Sequence, residues 1–476
     1  MKPHVLLIRP LCEGYEPEFA EPLGIERLAG YLQAAGAADV TVMDRRLYQQ
    51  KRRTGMDRGS FWADLRKECR EVPPCVVGLS LMTSADVPDA LRIISRVRAW
   101  WPDARLVVGG LYVTTSQREA SQRLPRAVTL LCGEGEAALL AVVKGTPMPK
   151  GALGPGEWAM AYRPALERYA ALGCAVNMQT SRGCPGRCTF CATPSLAPEL
   201  RRWQPRDLSL VVDEIEAEAK RLGRAGLPPV FNFVDDDFGP LLRVEALADE
   251  LARRQLRVAF ALEMRVASFL GQPQLTERLA RLHEAGLTRV FMGVESLNAQ
   301  TLRRWRKPYD VEALPAVLSA CREAGVTVQP GYILWHGGQT VEGAAAEVEE
   351  LVRLGIYSHR AAQSRLIVFE GCALAREGSD SMGLQPMDAR SESFYQRFCD
   401  QTDDLTQEWV AAAVIEPYAT AAAFLTGSTT RLDEIQQRLQ RVNEASLVVF
   451  RELAHKESDV RGQTCEPSAS STEVSS

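Results

Sequence analysis

Three cysteines, Cys184, Cys188 and Cys191, stand close together in the segment TSRGCPGRCTFCATP. The C-x3-C-x2-C spacing puts three thiols in one compact loop after a predicted strand, where they could wrap a single iron–sulfur cluster. Such clusters are normally fully ligated by cysteine, so three ligands leave one iron without a protein partner. That iron can chelate the amino and carboxylate groups of a methionine-type substrate. Where the sulfur of such a substrate is a sulfonium, electron transfer from the cluster into it breaks a C–S bond homolytically.

Two simpler interpretations of these cysteines are a zinc site and inert buried thiols. Structural zinc usually takes paired C-x2-C units and a fourth Cys or His at a matching spacing. Cys174 could be that fourth ligand, although C-x9-C fits no common zinc pattern. The spacing therefore favours a cluster with one open iron.

The composition indicates a soluble globular protein of two or three domains. Of 476 residues, 46% are hydrophobic and 24% are charged, and 56 basic residues face 60 acidic ones for a formal charge of -4. This balance gives no cationic footprint for nucleic acid. The apolar run in MKPHVLLIRP is too short for a secretory signal or a membrane span, so we expect a cytoplasmic location and no membrane partner. Twelve cysteines in a cytosolic chain are not expected to form disulfides.

The elements that must position the cysteines form two alternating series. Segments such as HVLLIRP, IERLAGYLQAAG and VTVMD predict an α/β first domain over 1–148, with a doubly wound, Rossmann-like parallel sheet. Glycines and prolines then indicate a linker over 149–173. Six strand–helix units predict a partial (β/α)6 TIM-type barrel over 174–375, with chemistry at the carboxyl ends of its strands. A C-terminal helical domain over 376–456 and a disordered tail over 457–476 complete the prediction.

The cysteine motif resembles that of the radical S-adenosylmethionine (SAM) superfamily. The resemblance continues in FVDDDFG, which is similar to the acidic segment that holds the methionine ammonium, in ALEMR, which resembles a polar pair near the ribose and carboxylate, and in MGVES. It implies a 4Fe–4S cluster on Cys184, Cys188 and Cys191, and SAM held by five residues: Asp236, Glu263, Arg265, Gly293 and Glu295. Taken alone, these residues would be a solvated turn, a surface ion pair and a helix cap.

One strand departs from the pattern of that superfamily. The segment GYILWHGGQT keeps the glycine-rich turn but carries Trp335 and His336 where small or apolar residues are commoner. This indicates either a substrate-specific pocket or a repacked turn, and we favour packing.

Three loops of the first domain, in GLSLMTSAD, VVGGLYVT and LLCGEGE, resemble together the cobalamin-binding domain that precedes the barrel in some radical SAM enzymes. Small residues there would admit a nucleotide tail at the carboxyl edge of a parallel sheet. The predicted contacts are Ser80, Leu81, Met82, Thr83, Gly109, Gly110, Gly133, Glu134 and Gly135. The loop RPLCEGYEPEFAEPLG lacks the histidine that ligates cobalt in a D-x-H-x-x-G segment. We therefore predict cobalamin without a protein imidazole, its lower face free or covered by Leu81 or Met82; His4 on cobalt would contradict this.

The combination resembles class B radical SAM methyltransferases, which implies methyl transfer from methylcobalamin to an unactivated carbon of a small metabolite, with an external reductant such as flavodoxin or ferredoxin. Antibiotic biosynthesis is an expectation from the family alone. The alternatives are a cobalamin-dependent ring contraction or cyclisation without methyl transfer and, from another class, a non-catalytic cobalamin or redox sensor. Sequence motifs report the cofactors and not the fate of a substrate radical.

Overall fold

The computed structural model of the chain describes residues 2–12, 20–49, 58–149, 153–154, 157–193, 202–307, 309–369, 372–376 and 383–464. Two five-stranded parallel sheets organise these residues. Each sheet is flanked by helices, as the alternating patterns predict.

The first sheet has the strand order β2-β1-β3-β4-β5. Its strands are β1 (His4–Arg9), β2 (Asp39–Asp44), β3 (Val76–Ser80), β4 (Arg105–Gly109) and β5 (Thr129–Leu130). The helices around it are α1 (Leu23–Ala34), α2 (Arg46–Gln49), α3 (Arg58–Glu68), α4 (Val87–Trp100), α5 (Leu111–Thr115), α6 (Gln117–Arg123) and α7 (Glu136–Lys144).

Strand β1 is buried on both faces because its apolar residues are continuous. Leu6 and Ile8 belong to one hydrophobic cluster, whereas Val5 and Leu7 belong to another. This burial on both faces is typical of parallel sheets that are covered by crossover helices. In this strand order the direction of winding reverses between β1 and β3, and ligands of doubly wound sheets bind outside the carboxyl ends at such a point.

The second sheet has the order β12-β11-β10-β9-β6 and forms the partial barrel. Its strands are β6 (Val176–Met178), β9 (Val230–Phe233), β10 (Ala259–Arg265), β11 (Leu287–Glu295) and β12 (Thr327–Tyr332), with the short pair β7 (Ser181–Arg182) and β8 (Gln204–Pro205) beside it. The helices here are α8 (Leu166–Ala171), α9 (Leu208–Arg224), α10 (Leu241–Arg253), α11 (Leu275–Glu284), α12 (Ala299–Arg304), α13 (Leu314–Glu323) and α14 (Val341–Arg353).

Alternation along the barrel strands separates its wall from its interior. On β11, Val290, Met292 and Val294 are fully buried in the main hydrophobic cluster, while Phe291 and Glu295 are half-buried on the opposite face. The interior is therefore lined by the residues between the core positions.

The sixth predicted barrel strand differs from expectation. Within the described residues 364–369, only β13 (Ile367–Val368) is a strand, and it pairs antiparallel with β14 (Gly383–Leu384). A single parallel bridge, from Trp335 to Arg365, joins this segment to the end of the barrel sheet. Apolar residues at 366–369 resemble a core strand, but the Leu366 N–H alone donates to the Trp335 carbonyl, at 2.8 Å, whereas Ile367 and Val368 pair with β14.

The remaining helices are α15 (His359–Gln363), α16 (Ala373–Arg376), α17 (Ala389–Gln401), α18 (Asp403–Ala413), α19 (Glu416–Thr426) and α20 (Thr430–Thr464). Helix α19 packs against β9, β10 and β11. Its residues Tyr418 and Ala421 contact Val230 and Ala259 at the starts of those strands. The C-terminal helices thus close the amino-terminal end of the barrel.

One segment of the described chain, Asp403–Thr426, is long and apolar enough to cross a membrane by length and composition, with a mean hydropathy of 1.3. Core helices of soluble proteins pass the same test. Here the segment consists of the two helices α18 and α19.

The expectation of a disordered tail from residue 457 is wrong at its beginning, because α20 continues to Thr464. Glu457 forms ion pairs with Arg390, at 2.9 Å, and with Arg397, which tie this part of the helix to α17. Residues 465–476 lie outside the described residues.

The two sheets are joined through a buried carboxylate on α9. Glu214 forms ion pairs with Arg27 of α1 at 3.2 Å, with Arg163 at 2.9 Å and with Arg206 at 3.0 Å. Burial alone would raise the pKa of Glu214, but the three guanidinium groups outweigh it and lower the pKa to about 2. This junction fixes the first domain against the barrel.

Candidate functional site

The cysteine loop begins directly after β7. Gly183 turns the chain at a φ of +76°, and Cys184, Cys188 and Cys191 follow, all partly exposed. The Cys184 and Cys188 sulfurs converge on Gly186, where an added Cβ would lie 3.2 and 3.9 Å from them. The Gly186 N–H donates to the Cys184 sulfur at 3.3 Å. Glycine at this position leaves room for a group that both sulfurs face.

The donor set fits a cluster better than a single ion. Among the described residues, no three His, Cys, Asp or Glu side chains are close enough to hold one metal ion. Tetrahedral zinc would bring its thiolates to roughly 3.8 Å from one another, given Zn–S bonds of about 2.3 Å. Cys174 lies before β6, at the amino end of that strand, whereas the three cysteines follow its carboxyl end. It is therefore not a fourth ligand.

The end of the loop is anchored by residues that sequence analysis missed. The Thr189 N–H donates to the Trp305 carbonyl at 3.0 Å, and the Leu374 N–H donates to the Thr189 carbonyl at 2.8 Å. Phe190 packs edge-on against Trp305, with ring centroids 5.2 Å apart. The positions of the cysteines thus depend on segments more than 100 residues away in sequence.

The three aspartates after β9 have different environments. Asp235 is buried and accepts hydrogen bonds from the Thr180 N–H at 2.8 Å and from the Thr180 hydroxyl at 3.0 Å. Asp237 is also buried and accepts from Arg265 Nε at 2.7 Å. Asp236 is exposed and accepts from the Thr193 hydroxyl at 2.8 Å. Of the three, the predicted ligand Asp236 is the one whose carboxylate faces open space beside the cysteine loop.

The other predicted SAM residues end neighbouring strands. Glu263 and Arg265 are half-buried on β10, and Gly293 and Glu295 lie on β11 beside it. Glu295 pairs with Lys307 at 3.0 Å and adopts a φ of +69°, a backbone conformation that non-glycine residues rarely hold. A Cβ on Gly293 would lie 2.8 Å from the Glu295 carboxylate and 2.9 Å from the Lys307 ammonium, so glycine is needed to admit this pair.

Lys307 and Glu347 support this edge and were not found from sequence. Burial would lower the pKa of Lys307, but Glu295 and Cys188 raise it above its ordinary value, which keeps the ammonium charged. Glu347 is buried and accepts hydrogen bonds from the Ser296 hydroxyl at 3.0 Å, from the Leu297 N–H at 3.1 Å and from the Tyr332 hydroxyl. Neither residue carries a motif signal, because their partners are set by the tertiary fold.

A cavity of about 450 Å³ extends from Glu295 into the barrel. Arg289 and Phe291 of β11 line one side, and Trp409 of α18 and Tyr357 line another. Arg289 pairs with Glu416 of α19 at 3.2 Å. The C-terminal helices therefore build part of the wall of the barrel interior.

Trp335 and His336 are packing residues, as we favoured. The Trp335 ring is fully buried against Phe394 and Tyr395, and its indole N–H donates to the Ala362 carbonyl at 2.8 Å. His336 is buried against Trp305, and burial lowers its pKa.

The predicted cobalamin residues come together at the carboxyl edge of the first sheet. After β3, the Met82 side chain is 45% exposed, and its N–H donates to the Asp86 carboxylate at 2.5 Å. Asp86 is held in turn by Arg9 at 2.7 Å. The Ser80 carbonyl accepts a hydrogen bond from Arg9, and Thr83 caps the turn that follows.

Leu81 does not present its side chain to this edge. It is fully buried in the core, and Gly110 packs so closely on its backbone that a Cβ would lie 2.4 Å from the Leu81 oxygen. The expectation that Leu81 could cover a bound ligand is wrong, because its alternation along β3 points it into the sheet's hydrophobic cluster. Met82 is the member of the pair that reaches the surface.

The glycine loop at 133–135 completes the edge. Gly109 ends β4, and the Gly133 N–H donates to the Thr114 hydroxyl at 3.0 Å. Gly133 has a φ of +78°, and Gly135 packs against Leu28. Glu134 pairs with Arg182 at 2.8 Å and accepts from the Leu153 N–H at 3.2 Å, and burial raises its pKa.

His4 lies at the opposite edge. It begins β1 and its ring contacts the Val72 carbonyl at 2.6 Å and the Thr41 hydroxyl at 3.0 Å. It is therefore remote from the carboxyl ends. Residues 13–19 of the loop after β1, in which the sequence contains no histidine, lie outside the described residues.

Comparison with known families identifies both domains. Residues 17–143 match the B12 binding domain, and residues 178–351 match the Radical SAM superfamily. The chain joins a B12-binding domain to a radical SAM domain. The predicted family and α/β fold class are confirmed, as are the three predicted cofactors, since the radical SAM domain implies a 4Fe–4S cluster and SAM and the other domain implies cobalamin.

Two curated relatives are similar to more than half of the chain. The chain is 24% identical to the anaerobic magnesium-protoporphyrin IX monomethyl ester cyclase of Rubrivivax gelatinosus, over 71% of this chain and 63% of that protein. It is 26% identical to the bacteriochlorophyllide d C-12(1)-methyltransferase of Chlorobaculum tepidum, over 52% of this chain and 54% of that protein. The matches thus span less than two thirds of each relative.

A solved structure shares the fold. The cobalamin-dependent S-adenosylmethionine radical enzyme OxsB with aqua-cobalamin bound matches with a TM-score of 0.72 at 15% identity, over 98% of this chain and 82% of that one. This likeness covers the first sheet, the partial barrel and the C-terminal helices.

Proposed function

We propose that this radical SAM enzyme transfers a methyl group to an unactivated carbon of a small metabolite. When bound, the cluster and SAM supply a 5′-deoxyadenosyl radical that removes a hydrogen atom, and methylcobalamin supplies the methyl group. The name of the Chlorobaculum relative, a methyltransferase, supports this reaction. The protein's own residues position these groups.

The observation that carries the proposal is the contact between the two cofactor edges. Arg182, two residues before Cys184, pairs with Glu134 at 2.8 Å in the glycine loop of the B12-binding domain. Transfer from one cofactor to a carbon activated by another requires both to face one substrate, and fixed orientation of reactants lowers the entropic part of the barrier. A redox or cobalamin sensor has no need of this arrangement.

We assign the residues of the barrel edge by charge. Cys184, Cys188 and Cys191 hold the cluster. The exposed Asp236 carboxylate accepts from the SAM ammonium, while Glu263, Arg265, Gly293 and Glu295 contact the rest of the molecule. The cavity between β11, β12 and the C-terminal helices receives the substrate, with Phe291, Tyr357 and Trp409 as apolar surfaces.

At the carboxyl edge of the first sheet, we assign cobalamin to the backbone and small side chains of Ser80–Thr83 and to Gly109, Gly110 and Gly133–Gly135. Met82 would lie against the lower face of bound cobalamin, since this apolar residue is 45% exposed where the winding direction of the sheet reverses. The exposed area would be removed from water by a flat ligand.

The proposal includes three further predictions. The domain boundaries lie at 148 and 375, with a linker over 149–173. An external reductant such as flavodoxin or ferredoxin supplies electrons. The enzyme works in the cytoplasm on a small molecule and not on nucleic acid, consistent with the formal charge of -4.

A second candidate function is cyclisation without methyl transfer. The Rubrivivax relative, which aligns over 71% of this chain, is named a cyclase. The same cofactor residues would serve that reaction, and only the fate of the substrate radical would differ.

The test is anaerobic reconstitution with iron, sulfide and hydroxocobalamin, followed by turnover with reduced flavodoxin as the electron donor and with SAM that carries a deuterated methyl group. The substrate source is a small-molecule extract, analysed by mass spectrometry. We expect 5′-deoxyadenosine, S-adenosylhomocysteine and a labelled product. An unlabelled product together with 5′-deoxyadenosine would instead favour cyclisation, and absence of 5′-deoxyadenosine from fully loaded protein would contradict both.

A further inference from the structure

Arg182 connects the two cofactor edges directly. It is 8% exposed and lies two residues before Cys184, at the end of β7. Its Nη1 pairs with Glu134 Oε2 at 2.8 Å, and its Nη2 donates to Glu136 Oε1. The guanidinium lies over the Trp158 ring, 4.3 Å from the centroid. A residue at the start of the cysteine loop thus contacts the glycine loop and the linker through its side chain.

Both sides of this contact are fixed to their own domains. Arg182 pairs with Gln204 in the short β7–β8 ladder, and its Nε donates to Gln179 at 3.4 Å. Glu134 also accepts from Leu153, and Glu136 is the first residue of α7. A shift of either loop would separate a buried cation from its carboxylates, and leaving a buried charge without its partner is strongly unfavourable.

The Glu134 carboxylate is therefore directed at the partner domain. Its neighbours Gly133 and Gly135 lie with their backbone at the carboxyl edge of the first sheet. Sequence similarity had grouped all three as cobalamin contacts. The contacts of Glu134 add a second role for this predicted cobalamin residue, which is to position the loop.

We propose that Arg182 is a positioning residue that couples cobalamin binding to assembly of the iron–sulfur cluster. Each cofactor orders its own loop, and Arg182 transmits that order because it is shared by both. The coupling is reciprocal, since a cluster that favours cobalamin must be favoured by cobalamin to the same extent. This inference rests on the cofactor sites proposed above, but not on the group that is transferred.

The test measures cobalamin binding by the full chain with and without the cluster. Hydroxocobalamin is the probe, its dissociation constant is obtained by equilibrium dialysis, and iron content is measured in each sample. For the wild-type chain we expect the cluster to tighten binding by at least about fivefold, the lower end of typical coupling. In Arg182→Gln, both cofactors bind but the ratio of the two dissociation constants falls to about one.

Further variants distinguish coupling from a loss of folding. Glu136→Gln removes one of the two bridges and should lower the ratio partly. Arg182→Lys keeps the charge but cannot reach both carboxylates as a planar fork does, so it should also give an intermediate ratio. Arg278→Gln is the control, because it removes a guanidinium that donates two hydrogen bonds to Glu245 within the barrel. It should keep the wild-type ratio. Circular dichroism confirms folding of each variant.

Two outcomes would overturn the coupling. One is a wild-type ratio near one with both cofactors bound. The other is an unchanged ratio in all three variants, Arg182→Gln, Arg182→Lys and Glu136→Gln. Failure of the wild-type chain to bind hydroxocobalamin would overturn the proposed cobalamin site itself, and the coupling with it. The first two results leave that site intact, so the failures can be told apart.

Discussion

The carboxyl edges of the two sheets differ in how their charges are arranged. At the barrel edge, charged side chains end the strands in pairs, Asp237 with Arg265 and Glu295 with Lys307, and Arg265 and Glu295 remain partly exposed. At the first edge, the pair of Arg9 and Asp86 is buried beneath the loop, and the residues toward the surface are Met82, Thr83 and glycines. The two edges therefore suit ligands of different chemistry.

The physical reason is the cost of desolvation. A zwitterionic ligand such as SAM loses water when it binds, and charged groups that are already oriented replace that water. A corrin ring is broad, and most of its binding energy comes from area removed from water and from backbone contacts. Charges under such a ring would lose solvation without gaining a partner. The comparison explains why the same strand-end geometry carries different residues in the two domains.

The largest expected effect comes from Cys188→Ala. Loss of one of three cluster ligands should reduce reductive cleavage of SAM to background, measured as 5′-deoxyadenosine by chromatography. The B12-binding domain should still bind hydroxocobalamin, and its affinity should fall only by the factor of the coupling proposed above. Cys399→Ala, which alters a partly exposed thiol on α17, is the control and should keep full cleavage. Cleavage by Cys188→Ala at the wild-type rate would remove the barrel edge from the mechanism.

A second prediction concerns His359, a buried residue outside the two proposed cofactor sites. His359 contacts the Ser446 and Thr406 hydroxyls at 2.8 and 2.9 Å, and burial lowers its pKa to about 4. An unfolded histidine titrates near about 6.5. Between these pH values the unfolded chain binds a proton that the folded chain does not, so the free energy of unfolding falls as the pH is lowered, by about 3 kcal/mol in all.

The measurement is urea unfolding above and below that pH window, for the wild-type chain and for His359→Gln. The variant should lose this part of the acid sensitivity, because glutamine does not titrate. An equal pH dependence in both proteins would contradict a contribution of His359 to the acid sensitivity.

A third prediction concerns Glu347, which orders the chain after Glu295. In Glu347→Gln, the amide keeps the shape but loses the charge that strengthens four hydrogen bonds, one of them from Gln339, so we expect about 2 kcal/mol less stability. The Michaelis constant for SAM should rise, while hydroxocobalamin affinity stays the same. Glu349→Gln is the matched control, since Glu349 lies on the same helix but is exposed, paired with Arg451. Equal effects of both variants would contradict a specific role for Glu347.

The smallest energetic effect is expected at Met82, but with a distinct spectrum. Met82→His should place an imidazole under the ring, and ligation of cobalt would shift the absorption of bound hydroxocobalamin. Met82→Ala should change affinity only slightly. Met148→His provides a control at another exposed methionine, which is 47% exposed. An unshifted spectrum in Met82→His would place a different residue on the lower face.

The sequence predicted what is encoded locally. Continuous apolar runs gave the strands of the first sheet, alternation gave β11, and the spacing of Cys184, Cys188 and Cys191 gave the cluster loop. Two errors have local causes as well. The segment at 366–369 was apolar enough for a barrel strand, but its residues Ile367 and Val368 pair antiparallel with β14. The polar composition after residue 456 concealed the end of helix α20, which Glu457 holds to α17.

The remainder depends on contacts between distant parts of the chain. Leu81 and Met82 are adjacent and similar in hydropathy, and only their direction in the folded sheet decides which one is exposed. Arg182 lies 46 residues from Glu136, and Glu347 lies 51 residues from Ser296. No spacing rule relates such pairs, because the fold sets the separation.

Residue types and local spacing by themselves determined the two domains and the carboxyl edges at which chemistry takes place, and the resemblance of their motifs to known families indicated the cofactors. Only the tertiary structure decided which charges face the site and which are used to hold the domains in register. The reason is that a carboxylate or guanidinium acts according to its nearest partner and its burial. Both are properties of the packed chain and not of the segment that carries the residue.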